Sequence, residues 1–171
     1  MKKILLVTSG IVFLFVGLIV GIVITVGVYH NSHVVLDGPS MEPTIHNGQS
    51  PTVTKFTSGV SPKRGDIVEY SSSNKLVKKY STSGKLIHRI IALPGERITI
   101  SNSKVLVFNQ QNPNGFNPDT YLASNIVTAG NIDMTLAPDT FFVMGDNRAN
   151  ALDSRAIGPI NLSDIIGKVT Y

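Results

Sequence analysis

The stretch KLIHRIIALPGE, residues Lys85 to Glu96, decides how this chain is read. A nearly solid apolar run stops at Pro94-Gly95, a pair that marks a turn. Short apolar runs bounded by turn residues are the signature of strands buried in a sheet. The same grammar recurs on both sides. DIVEY (66–70) follows Lys63-Arg64-Gly65, and TFFVMG (140–145) ends at Gly145. RITI (97–100) and KVLVF (104–108) flank Ser101-Asn102-Ser103, which reads as a hairpin. The Asn-, Pro- and Gly-rich segment Asn109–Asn117 reads as a loop, and PDTYLAS (118–124) as a short helix. Lys78 and Lys79 fall where a neighbouring strand is expected. No window after residue 33 sustains a 3.6-residue period with caps, so residues 34–171 are expected to form one mostly β, antiparallel domain.

Ahead of that domain, Ile4 to Tyr29 carries no charge across 26 residues. As a helix this run spans about 39 Å, more than the ~30 Å hydrocarbon core of a bilayer. It is longer than the apolar region of a cleaved leader, and VYHNSHVV offers no small-x-small cleavage site. The expectation is an uncleaved transmembrane anchor within residues 1–29, with an extracytoplasmic domain over residues 30–171. Lys2 and Lys3 place the N-terminus on the cytoplasmic side, so the lipid bilayer is a partner and the cell membrane the location.

Lys plus Arg total 15 against 11 Asp plus Glu, a net of +4. With Lys2 and Lys3 set aside, the remainder carries only +2. That balance gives no clustered basic face for nucleic acid. The absence of cysteine excludes disulfides, thiol catalysis and Cys-ligated metal, and His30, His33 and His46 lack metal-ligand spacing. Neither a metal nor a cofactor is expected.

Chemistry concentrates in four islands. The first is LDGPSMEPTI (36–45), where Gly38 and Pro39 force a sharp entry, Met41 can bury itself and Pro43 fixes the exit. Such a turn holds the Ser40 hydroxyl out while aiming its own N–H at the same point, as an oxyanion hole requires. The others are KRGDIVEY (63–70), LIHRIIALPGE (86–96) and MGDNRANALDSRAIG (144–158). In this order after an apolar run, the four islands resemble the bacterial type I signal peptidases, over about Val34 to Lys168.

That resemblance implies a membrane-bound serine endopeptidase that removes signal peptides from exported preproteins, with Ser40 as the nucleophile of an acyl-enzyme. It also implies substrates with small residues at positions −1 and −3, bound as an extended strand beside the cleft. The bacterial family places a lysine base in a segment of the form K-R-x-x-x-L-P-G. Here Leu93-Pro94-Gly95 sets the register, Arg89 falls on the arginine, and His88 occupies the lysine position. The hydroxyl that orients the lysine in the family is replaced by Ala151. Archaeal and endoplasmic-reticulum signal peptidases resemble this pairing, since they use histidine. Gly38 stands where some members supply a serine hydroxyl to the oxyanion hole, leaving the Ser40 N–H.

Histidine needs no large pKa shift to serve as a base, but it works best with an acceptor on its second ring nitrogen. Asp153 is the first candidate for that acceptor and Asp146 the second. In the family the aspartate at 153 pairs with the arginine at 155; full commitment to Arg155 would leave a Ser40–His88 dyad. Arg89 is expected on the opposite strand face from His88, as is Lys85, while Asn147 and Arg148 read as turn scaffold. An imidazole is shorter than a lysyl chain, so reach to Ser40 is the point at issue. Two other readings compete. Self-cleaving repressors share a Ser-Met turn, but the apolar run and the GDNR…DSR island oppose them. A membrane-anchored, non-catalytic β module that binds exported chains would explain the missing lysine and Ala151.

Overall fold

The computed structural model of the chain describes residues 16, 31–57, 59–81, 83–123 and 126–171. The expected anchor lies outside the described residues except for Val16. Among the described residues no helix is long and apolar enough to cross a membrane. One compact unit covers His33–Tyr171, and the site lies within it.

The strands are β1 (Asn31–His33), β2 (Thr52–Thr54), β3 (Ile67–Ser71), β4 (Lys85–Ala92), β5 (Arg97–Ser101), β6 (Lys104–Phe108), β7 (Ile132–Thr135), β8 (Thr140–Met144), β9 (Ile160–Asn161) and β10 (Ile165–Thr170). Within the unit the main sheet runs β2-β10-β3-β4-β8-β9, and a smaller sheet runs β6-β5-β7. The pairs given a register are antiparallel throughout, as the turn-bounded runs of the sequence predict.

Strands β3 and β4 are central and buried on both faces, which is why their sequences read as apolar runs rather than clean alternations. Val68, Tyr70 and Ile90 pack with Phe141, Val143 and Ile160 on one face. Ile67 and Ile87 pack with Leu36, Met41, Ile45, Val53 and Val169 on the other. The small sheet lays Ile98, Ile100, Val105 and Val107 against Ile91, Ala92, Phe142 and Met144. A bulge between Ile90 and Ala92 lets β4 serve both assemblies. The 93–96 turn beyond it is pinned by Glu96, which accepts from Leu93 N–H at 2.8 Å and from Arg64 Nη2 at 2.5 Å. Two separate islands, KRG and LPGE, are thereby tied together.

The hairpin at 101–104 forms as expected, with Asn102 and Ser103 both at positive φ (49° and 63°), the geometry that matches strand twist. Two local expectations fail. Lys78 and Lys79 lie not on a strand but in a short helix, α1 (Lys75–Tyr80), capped by the Asn74 side chain on Leu76 N–H. Residues 118–123 form turns rather than a helix. There Asp119 and Tyr121 reach out to a distant arginine, and those long-range bonds replace a local helical ladder.

Candidate active site

Three segments build the site: the turn at 39–45, the middle of β4, and the loop from Gly145 to α2 (Ser154–Ile157). The turn closes on itself, with Thr44 and Ile45 N–H donating to Met41 O at 2.8 and 3.0 Å. Met41 is fully buried against Ile67 and Ile87. The methionine thus nails the turn to the sheet, and its neighbour Ser40 is left at the rim. Asn147 holds the same turn from outside: its N–H donates to Ser40 O at 3.0 Å and its side-chain amide to Pro39 O at 3.1 Å. Asn147 is a scaffold residue, as its place in the GDNR run suggested.

Ser40 and His88 line one cleft of about 440 Å³ with Leu86, Tyr80, Ala151 and Leu152. They converge on Gly145. A Cβ built there would collide with Ala151, sit 2.5 Å from Ser40 O and come within 3.4 Å of His88 Cδ2. Only glycine permits this approach. Among the described residues, Ser40 Oγ and His88 Nε2 share no hydrogen bond, and the Ser40 N–H donates none. A second depression of about 260 Å³ adjoins the first through Asp37, Ser40, Tyr80 and Leu86.

His88 is 1% exposed. Burial pushes its pKa down to about 4, with Asp153 pulling up, Arg155 pushing down and Asp146 pulling up. The ring is therefore a neutral imidazole at neutral pH. Its Nδ1 lies 2.8 Å from the hydroxyl of Tyr70, a residue that the sequence reading missed. The available signal was a polar tyrosine two positions along from Val68, hence on the same strand face, in a run that is otherwise buried.

The two aspartates proposed as orienters are held elsewhere. Asp153 Oδ1 accepts from Arg155 N–H at 3.1 Å and Nε at 2.8 Å. Its Oδ2 accepts from Gly145 N–H at 3.0 Å and Arg155 Nη2 at 2.7 Å. This carboxylate caps the N-terminus of α2 and locks Gly145 in place. Asp146 accepts from Arg89 Nε at 2.9 Å, Arg89 Nη2 at 2.6 Å and Thr44 Oγ1 at 2.5 Å. Neither carboxylate hydrogen-bonds His88. Arg89 lies on the opposite face of β4, as period 2 requires, and joins the 39–45 turn to the 145–148 loop through Asp146.

Arg148, read from the sequence as turn scaffold, is a structural hub whose reach to Asp119 and Thr128 the sequence did not announce. It donates to Gly145 O at 3.0 Å, Thr128 Oγ1 at 2.9 Å and both Asp119 oxygens at 2.6 Å. Lys85 lines the adjoining depression, with its ammonium 3.5 Å from Glu69 on the face away from His88. Lys79 lies over the Tyr80 ring. Among the described residues no cluster of three or more His, Asp or Glu is arranged to hold a metal.

A serine at the rim of a buried neutral histidine, with a free backbone N–H beside it, is an arrangement suited to acyl transfer. Comparisons with known proteins give the chain's family. The family model described as signal peptidase, peptidase S26, matches residues 9–171. A signal peptidase I P from Bacillus subtilis subsp. natto is 35% identical over 144 residues, covering 78% of this chain and 71% of that protein. A signal peptidase I from Bacillus caldolyticus is 31% identical over 165 residues, covering 88% and 83%. A solved signal peptidase I from Enterococcus faecalis V583 aligns at 25% identity and a TM-score of 0.46, over 65% of this chain and 98% of that one. With a family match that reaches from residue 9 to the last residue, the chain belongs to the signal peptidase (peptidase S26) family and is a hydrolase of the signal peptidase I type.

Proposed function

We propose that the protein is a membrane-anchored endopeptidase that cleaves signal peptides from exported preproteins, with Ser40 as nucleophile and Nε2 of His88 as general base. The observation that carries this is the meeting of Ser40 and His88 at Gly145 in one cleft, with burial holding the imidazole unprotonated. In the first step Ser40 Oγ attacks the scissile carbonyl carbon while its proton passes to Nε2. The Ser40 N–H stabilises the resulting oxyanion. Collapse breaks the peptide bond, the imidazolium returns the proton to the leaving amine, and the signal peptide stays on Ser40 as an ester. Water, activated by the same nitrogen, then releases it.

The missing Ser40–His88 hydrogen bond is compatible with this chemistry, since such bonds are often long in free enzymes and tighten when substrate is bound. A preprotein segment laid in the two joined depressions would exclude water and press the two side chains together. The anchor over residues 1–29 would hold the N-terminus inside and the catalytic unit outside the cytoplasmic membrane. Ser40 follows Tyr29 by eleven residues, at most about 36–40 Å of chain, so the nucleophile stays near the bilayer surface where a signal peptide presents its cleavage site. Incubating the full chain in detergent with a purified preprotein tests the reading: processed product is expected, and none after Ser40→Ala. Absence of processing by the wild type would favour the non-catalytic module instead.

A further inference from the structure

Tyr70 stands on β3 and His88 on β4, in a register that sets Val68 opposite His88 and Leu86 opposite Tyr70. The two are diagonal neighbours on one sheet face, a separation that long aromatic side chains span. The phenol oxygen lies 2.8 Å from Nδ1, with ring centroids 5.8 Å apart and planes tilted by 45°. The Tyr70 side chain is wholly buried among Val68, Ile90, Phe141, Val143 and Ile160. Such packing gives the hydroxyl one position, and Nδ1 is its hydrogen-bonding partner. Burial, reinforced by the Asp153 carboxylate, raises the phenol well above its ordinary range, so it stays un-ionised.

We infer that Tyr70 is the positioning residue of this active site, taking the place at Nδ1 that a carboxylate holds in a Ser-His-Asp triad. The inference rests on the reading of His88 as base. A neutral imidazole carries one N–H. With that hydrogen on Nδ1, Nε2 presents a lone pair to the cleft and can take the Ser40 proton. With it on Nε2, the lone pair faces Tyr70 and the ring is useless to Ser40. Tyr70 Oη is the acceptor that lies at Nδ1, because both oxygens of Asp153 are taken by Arg155 and the Gly145 N–H, Asp146 is held by Arg89 and Thr44, and neither carboxylate hydrogen-bonds the ring. The bond also fixes the ring plane, aiming Nε2 away from β3. When the proton arrives on Nε2, the Nδ1–H to phenol bond becomes charge-assisted and strengthens. A neutral phenol supports the imidazolium less than a carboxylate would. The conjugate acid is therefore strong and hands its proton readily to the leaving amine.

The hydrogen bond could run the other way, since a phenol both donates and accepts. The two directions give opposite signs in one measurement. Charged groups facing His88 are Asp153, Arg155 and Asp146, and a Tyr70→Phe substitution leaves all of them in place. If Nδ1–H donates to Tyr70, the bond is stronger in the imidazolium, and its removal moves the acidic limb of the rate profile to lower pH. If the phenol donates to Nδ1, removal moves the limb to higher pH. We therefore expect full-length Tyr70→Phe, assayed on a preprotein in detergent, to lose about 10- to 100-fold in kcat with KM little changed, the range for losing a partner that orients a functional histidine. Its acidic limb should fall to lower pH. Nitrogen-15 spectra of the histidine-labelled wild type should show Nδ1 protonated and Nε2 bare at neutral pH, the His88 signals being assigned by their absence in His88→Ala. An unchanged kcat and limb in Tyr70→Phe, a limb shifted upward, or a neutral Nε2–H tautomer overturns the inference. A fully active His88→Ala would instead sink the base assignment itself, and with it the role given to Tyr70.

Discussion

The Nδ1 of His88 lies 2.8 Å from the hydroxyl of Tyr70, while both carboxylate oxygens of Asp153 are occupied by Arg155 and the Gly145 N–H. At Nδ1 this site differs from a Ser-His-Asp triad in the partner of the histidine. The aspartate acts on the loop that carries Gly145, and a tyrosine acts on the histidine. Each of these contacts makes a distinct demand on a variant.

Ser40→Ala should abolish preprotein processing while leaving the fold intact, because the hydroxyl sits at the rim of the cleft and makes no hydrogen bond among the described residues. Gel analysis of product alongside thermal unfolding checks both halves. Wild-type turnover by this variant would remove Ser40 from the chemistry.

His88→Ala should reduce kcat/KM by several orders of magnitude, as expected for loss of the base that activates a serine. In the wild type the protonated ring cannot accept the Ser40 proton, so kcat/KM should fall as pH drops through the folded value, about 4, and stay flat above it. The same depression sets a stability trend. The unfolded chain takes up this proton near pH 6.5 and the folded chain only near 4. Stability should therefore be fully present above pH 6.5 and decline as pH falls between those values. Lys85→Ala, whose ammonium lies on Glu69 across the strand, should keep most activity. A large loss there, with an activity limb at alkaline pH, would transfer the base role to lysine.

Gly145→Ala tests the convergence point. Its Cβ would strike Ala151 and sit 2.5 Å from the Ser40 carbonyl oxygen. A backbone atom on the 39–45 turn cannot swing aside as a flexible side chain would, so Ser40 must shift or the loop must open. We expect a destabilisation of about 1–3 kcal/mol and a kcat loss larger than that change in folding explains. Differential scanning calorimetry and kinetics measured below the transition separate the two. A variant with native Tm and native turnover would show that the Gly145 loop yields without moving Ser40.

Asp153→Asn should act on stability before it acts on chemistry. The substitution leaves Arg155 without its buried counter-charge, a class of change that costs about 3–5 kcal/mol. Chemical denaturation should show a lower midpoint with an unchanged slope. Activity below the transition should survive in part, since His88 keeps Tyr70. A loss of about 10⁴-fold in kcat with native stability, the behaviour of a triad aspartate, would restore Asp153 as the orienter.

Much of the architecture is legible in the sequence. Runs such as KLIHRIIAL and TFFVMG, each stopped by turn residues, announce buried antiparallel strands, and Ser101-Asn102-Ser103 announces a hairpin. Period 2 alone sets Arg89 and Lys85 on the face opposite His88, where they are found. These are local facts, carried by backbone preference and by which side of a strand a side chain occupies. Short-range signals were weaker where long-range bonds compete. PDTYLAS reads as helical, yet Asp119 and Tyr121 bond to Arg148, nearly thirty residues away, and the segment turns instead. Lys78 and Lys79 sit in a six-residue helix too short to leave a period in the sequence.

The sequence by itself carried the islands and their resemblance to the family, and that resemblance sets His88 and Ala151 where a lysine and its hydroxyl partner are expected. It could not determine what His88 touches. Asp153, 65 residues from the histidine along the chain, is the partner the sequence suggests, and Tyr70, 18 residues away, goes unnoticed there. The choice fell to strand register and to competition for hydrogen bonds. The β3–β4 pairing places Tyr70 diagonally beside His88. A guanidinium two residues from Asp153, together with the Gly145 N–H, satisfies that carboxylate before the imidazole can. A buried polar group bonds to whatever the packed structure brings within about 3 Å, and only the tertiary structure sets that distance.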